Sequence, residues 1–220
     1  MKFKEKLHLI MGFTAGVLIG VFSFEIMPEI INQVKKYDFD PMGPMTAFVL
    51  GFIVFHIIEK VILIHHAHEE EYAAHKHPQV GILSALALIG HSFMDGIGIG
   101  LGFQAGNEVG FLVALAVISH DFTDGMNTVT LMLSNKNSPG RAKLFLLADA
   151  LSPILGALST LMFTVSPFFL TLYLGFFGGF LVYIGASDIL PEAHSNRSSF
   201  KLIGLTVLGM LLVFIVSRFA

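Results

Sequence analysis

Hydrophobic residues run along this chain in long blocks. They follow neither the alternation of a half-buried strand nor the one-sided stripe of a surface helix. Seven blocks are about as long as a membrane-crossing helix needs, roughly 20 residues. They cover 7–27, 45–64, 80–103, 109–133, 144–165, 167–190 and 202–217. The polar segments between them are short, except PEIINQVKKYDFDPMGP after the first block and HHAHEEEYAAHKHP after the second. The pattern predicts an all-α integral membrane protein: a bundle of about seven transmembrane helices forming one domain over 1–220. A His-rich loop at 65–79 joins the second and third spans. MKFKEK and the apolar run behind it have the outline of a signal peptide. That run is about twenty residues long and lacks a small-x-small cleavage site, so it is read as a retained first span.

Composition agrees. The chain is 54% hydrophobic and 13% charged, with a mean hydropathy of +0.76, whereas soluble domains carry about 25% charged residues. The net charge of −3 gives no reason to expect nucleic acid as a partner. The lipid bilayer is the expected surrounding. The chain has no Cys, which removes disulfides and thiolate metal sites. It has no Trp, so an aromatic belt would fall to Tyr and Phe.

Basic residues orient the bundle. With the N-terminus in the cytoplasm, the inside receives Lys2, Lys4, Lys6, Lys60, Lys76, Lys136, Arg141, Lys143, Arg197 and Lys201. The outside receives Lys35, Lys36 and Arg218. The positive-inside rule favours this arrangement, with the C-terminus outside, in an inner or plasma membrane.

Three consecutive blocks carry ionisable groups at mid-depth. HSFMDG at 91–96 and HDFTDG at 120–125 share the pattern His-x-Phe-x-Asp-Gly. His91/Asp95 and His120/Asp124 are i,i+4 pairs, so each shares a helix face. Asp121 borders the second face, and Asp149 lies in the next block. Such groups are costly in a bilayer and mark sites or pathways. A lone His8 or His56 reads equally well as a packing residue, but a motif repeated on adjacent spans does not. No Lys or Arg lies in these spans to neutralise the carboxylates; a divalent cation would. Imidazole and carboxylate suit zinc, iron, manganese and related first-row ions without choosing among them. Six candidate ligands leave room for two ions. Gly96 and Gly125 would permit close helix approach or local unwinding.

A second pair of motifs reads acidic-x-x-Pro-Glu: Glu25 to Glu29 and Asp188 to Glu192. Both motif pairs fall on oppositely directed spans, the signature of an inverted-repeat transporter. His65, His66, His68, His75 and His77, with Glu69, Glu70 and Glu71, form a tract of the kind that binds metal loosely.

These residues resemble the ZIP (zinc/iron-regulated transporter-like) family. The paired His/Asp motifs stand where the family's two central helices carry theirs. Asp149 stands for the carboxylate of the next helix, ILPEAH at 189–194 for the Leu-Pro-Glu-Ala ending, and GFIVFHIIEK at 51–60 for the helix before a variable His-rich loop. The resemblance implies uptake of a divalent metal, zinc foremost, by alternating access. His91, Ser92, Asp95, His120, Asp121, Asp124 and Asp149 would hold one or two ions. Exit would pass His56, Glu59, Asp188 and Glu192 toward the His-rich loop. The resemblance also implies homodimers. The chain departs from the family at Ser92, where Asn is usual, and at Asp95 and Asp124, where Glu is more usual. Met94 and Thr123 replace frequent prolines, and the usual first of eight spans is missing. An intramembrane zinc hydrolase using Ser92 or Ser119, or a non-transporting metal sensor, is the alternative. The carboxylate-rich ligand set argues against hydrolysis, which favours His around an open zinc position.

Overall fold

The computed structural model describes residues 2–71, 78–195 and 199–219, with side chains described for 7–58, 60, 78–195 and 199–218. Helices are α1 (Lys2–Val21), α2 (Met27–Tyr37), α3 (Met42–Glu71), α4 (Pro78–Ala105), α5 (Asn107–Ser134), α6 (Pro139–Ser159), α7 (Pro167–Val182), α8 (Leu190–His194) and α9 (Phe200–Phe219). The described residues contain no strand. Among the described residues, six helical stretches are long and apolar enough to cross a membrane: Leu7–Tyr37, Pro78–Ala105, Asn107–Ser134, Pro139–Met162, Pro167–His194 and Phe200–Arg218. A shorter apolar stretch covers Met42–Ile58. Large apolar side chains such as Leu86, Phe111, Ile118, Leu155 and Phe169 are exposed. A soluble protein avoids such a surface, and lipid requires it. This is a multi-pass, all-helical membrane protein.

Helix ends follow local chemistry. Ser138 and Ser166 cap α6 and α7, each followed by Pro at the first helical position, where a missing N–H costs nothing. Asp38, in the left-handed region (φ 53°), stops α2. The segment after the first apolar block, expected as a connection, is helical through Tyr37. It buries Ile30 and keeps Lys35 and Lys36 exposed. Helix α3 likewise runs through His65, His66 and His68 to Glu71.

The chain divides into two compact units. The first comprises Met1–Phe55, Leu101–Ser119 and Val165–Ala220. Its buried residues include Leu18, Val21, Ile26, Leu112, Phe180 and Leu181. Here α1 packs on α9 so closely that a Cβ at Gly16 would meet the Thr206 carbonyl. Thr14, buried, donates to the Ser119 carbonyl at 2.9 Å. Among the described residues, two π-helical turns interrupt this unit, Phe22–Ile26 and Tyr183–Ile189. In each, an amide reaches back five residues: Met27 to the Phe22 carbonyl and Leu190 to the Gly185 carbonyl. Proline is the common cause. Pro28 and Pro191 cannot donate to the carbonyls four residues earlier, and the preceding turn widens. The two acidic-x-x-Pro-Glu motifs thus share a backbone feature, with Glu25 and Asp188 inside the π turns.

The second unit comprises His56–Gly100 and His120–Thr164. Ala85, Met132 and Ala142 form a buried cluster, with Ile82 and Phe145 against it. Ser152 donates to the Ile89 carbonyl at 2.8 Å and the Asn137 amide to the Pro78 carbonyl at 2.9 Å. Helices α4 and α6 meet backbone to backbone. A Cβ at Gly96 would strike the Pro153 carbonyl, and one at Gly156 the Phe93 carbonyl. Gly125 faces only the Leu146 side chain. Both α4 and α5 remain helical through their glycines, so Gly96 permits close approach and not unwinding.

Gly96→Ala should therefore destabilise despite the roughly 1 kcal/mol helix-propensity gain over Gly, because a backbone carbonyl cannot step aside; overpacking costs about 1–3 kcal/mol or more. Gly90→Ala, with open space around it, should be neutral or stabilising. Apparent melting temperatures of the two variants in one detergent check the contrast.

Candidate metal centre

The second unit gathers the paired motifs. Four side chains, His91 and Asp95 from α4 with His120 and Asp124 from α5, offer ligand atoms that all lie within 4.8 Å of one another. Asp95 Oδ2 is 3.3 Å from His91 Nε2 and 3.2 Å from His120 Nε2. Asp124 Oδ2 is 3.7 Å from each of the same nitrogens. Each imidazole thus faces both carboxylates. The i,i+4 spacing creates this, since it stacks His and Asp on one face of each helix. Asp95 and His120 are fully buried, and His91 and Asp124 keep 17% and 15% side-chain exposure. The site is therefore dry on one side and reachable on the other.

The separations fit a metal. With N and O bonds of about 2.0–2.2 Å, a tetrahedral ion spaces its ligands about 3.4 Å apart. The four His–Asp distances bracket that value. Two neutral imidazoles and two carboxylates also carry the charge that one divalent cation cancels. Asp95 Oδ1 and Asp124 Oδ2 are buried and accept no hydrogen bond from the described residues, leaving lone pairs for a cation in a place where orphaned acceptors are costly.

The other expected residues separate into distinct environments. Asp149, buried in α6, accepts from the Ser92 hydroxyl at Oδ1 (2.8 Å) and from the Thr128 hydroxyl at Oδ2 (3.1 Å). Ser92 also lies 3.1 Å from the Leu88 carbonyl. Ser92 and Asp149 are thus engaged with each other and stand outside the four-residue group. Asp121 is half-buried, with a buried Oδ1 that has no hydrogen-bond partner among the described residues. Ser119, the other serine considered as a nucleophile, donates to the Ala116 carbonyl at 2.7 Å. His56, Asp188 and Glu192 are exposed, in α3, the second π turn and α8. Glu59, His65, His66 and His68 belong to α3, but their side chains lie outside the described residues, as do His75 and His77 altogether.

Two participants escaped the sequence reading. Thr128 continues the series His120, Asp124, Thr128 at steps of four, a signal that was legible. Pro153 has no N–H for the Asp149 carbonyl four residues before it, and it forms the α6 surface on which Gly96 rests.

Comparison with curated proteins gives no match to this chain. A comparison with protein families does: the family described as ZIP Zinc transporter matches residues 64–217, well over half of the sequence and both His-x-Phe-x-Asp-Gly motifs. The geometry and the family point to the same chemistry, and we conclude that this chain belongs to the ZIP zinc transporter family.

Proposed function

We propose that the protein carries a divalent first-row metal ion, zinc foremost, across the cell membrane toward the cytoplasm by alternating access. His91, Asp95, His120 and Asp124 are the direct ligands. The carrying observation is the convergence of their ligand atoms within 4.8 Å at a half-buried position. The ion sheds water on entry, and imidazole nitrogen and carboxylate oxygen replace it. Asp121 supplies a further carboxylate for this ion or a second one. Ser92 and Thr128 hold the Asp149 carboxylate, which adds negative charge nearby without binding directly until one hydroxyl lets go. The exposed His56 and Asp188, with Glu59, Glu192 and the His-rich tract, form the route by which the ion leaves. The carboxylate-rich ligand set supports transport over hydrolysis, which favours His around an open zinc position, and the Ser119 hydroxyl is engaged with a backbone carbonyl. The chain crosses an inner or plasma membrane seven times, with the N-terminus in the cytoplasm and the C-terminus outside, the orientation that the Lys/Arg bias favours. The protein works as a homodimer.

Reconstituted vesicles test the central claim. Wild type should take up Zn²⁺, and His120→Ala should abolish uptake, because removing a direct ligand costs more than the roughly 10- to 100-fold expected for an outer partner. Equal uptake by both proteins would refute it. Thr128→Val should fall in the outer-partner range, lowering Zn²⁺ affinity about 10- to 100-fold in a competitive chelator titration while leaving the fold intact. The absence of Cys makes orientation directly measurable. A single Cys at Lys36 should react with an impermeant maleimide on intact cells, and one at Arg141 should react only after permeabilisation.

A further inference from the structure

The first unit contains an open cavity of about 780 Å³ lined by three carboxylates, Glu25, Glu29 and Glu108, with Asn32, Asn107 and Arg218. These residues come from the π turn, α2, the start of α5 and the end of α9. None belongs to the His/Asp group. Glu108 and Arg218 are exposed. The Arg218 guanidinium lies over the Phe214 ring at 5.5 Å and forms no ion pair with the described residues. Glu29 accepts from the Gln33 amide at 2.6 Å.

Glu25 is the exception. It is only 9% exposed, yet it has no hydrogen bond or ion pair with any described residue, and it lines the cavity. The side chain is mostly enclosed where it faces the cavity, and a carboxylate so enclosed gains from a counter-charge. The π turn Phe22–Ile26 places it there, and such turns are frequent at functional sites.

We infer that this cavity is a second cation site, which takes a hydrated hard divalent ion of the Mn²⁺, Mg²⁺ or Ca²⁺ class on Glu25, Glu29 and Glu108. Charge supports it: three carboxylates against one guanidinium leave two negative charges, which one divalent ion neutralises. Donor type supports it as well. The lining carboxylates and carboxamides offer oxygen and no imidazole, the preference of hard cations. Size is sufficient, since six waters at about 30 Å³ each occupy roughly 180 Å³. The cation therefore keeps much of its water, and the site binds weakly and exchanges fast. This contrasts with the compact nitrogen-and-oxygen group of the second unit. On the orientation proposed above the cavity faces outside; that placement rests on the transport reading, whereas the binding does not.

Mn²⁺ binding to the purified full chain, followed by electron paramagnetic resonance, separates the two sites. His91→Ala/His120→Ala removes the imidazoles of the first site and should still bind one Mn²⁺, with no nitrogen coupling in the spin-echo spectrum. Adding Glu25→Gln should weaken that binding by at least about tenfold, because affinity follows the count of charged ligands. Glu108→Gln, an exposed change that does not perturb packing, should weaken it in the same direction. Loss of all Mn²⁺ binding in the double-histidine variant would overturn the inference. So would unchanged binding in the Glu108→Gln variant together with a folded, monodisperse Glu25→Gln variant. Failure of zinc uptake in vesicles would leave these measurements unaffected.

Discussion

Negative charge held in an apolar surrounding without a basic partner is the constraint that organises this molecule. Asp95, Asp124 and Asp149 lie in helices with no Lys or Arg in their apolar stretches, and isolated carboxylates cannot stay ionised there at tolerable cost. Each is answered locally. Asp95 and Asp124 face His91 and His120, which can hydrogen-bond to them or join them in holding a cation. Asp149 has a hydroxyl on each oxygen. The difference decides their roles. A carboxylate saturated by hydroxyls is a fixed charge, and one shared between two imidazoles keeps lone pairs that a metal can use.

Close helix approach is what makes those answers possible. Ser92 on α4 can reach Asp149 on α6 only because the two backbones come close together, and that closeness requires Gly96 opposite Pro153 and Gly156 opposite Phe93. The small residues therefore serve the site by bringing polar side chains within hydrogen-bonding reach. In lipid, where helix association depends on packing and interhelical hydrogen bonds more than on the hydrophobic effect, the Ser92–Asp149 and Ser152–Ile89 contacts hold the same helix pair together. Assembly and chemistry draw on the same interactions.

The first unit shows what proline does in such a setting. Pro28 and Pro191 each widen the preceding turn, and each π turn carries an acid. The repeated acidic-x-x-Pro-Glu motif is thus a device for displacing a carboxylate from regular helical register. The outcomes differ: Asp188 is exposed and Glu25 is nearly enclosed. The motif supplies the displacement, and the neighbouring helices decide where the acid ends up.

Much of this was legible in the residues alone. Block length and composition determine that the chain is helical and membrane-embedded, because lipid leaves the backbone few other ways to satisfy its hydrogen bonds. The i,i+4 spacing determines that His91 pairs with Asp95 and His120 with Asp124, because helical geometry is local. The helicity of Met27–Tyr37 and the continuation of α3 to Glu71 were not read, since their polar residues resemble a loop once the apolar run ends. Which helix faces meet is a different kind of question. Asp149, Ser92 and Asp121 all qualified as ligands by residue type. Only the tertiary structure paired Ser92 with Asp149, brought in Thr128, and left Asp95 and Asp124 between two imidazoles. It also left Glu25 enclosed and without a partner among the described residues. Spacing within a helix is set by the chain's own backbone, whereas contacts between helices depend on the packing of many side chains at once.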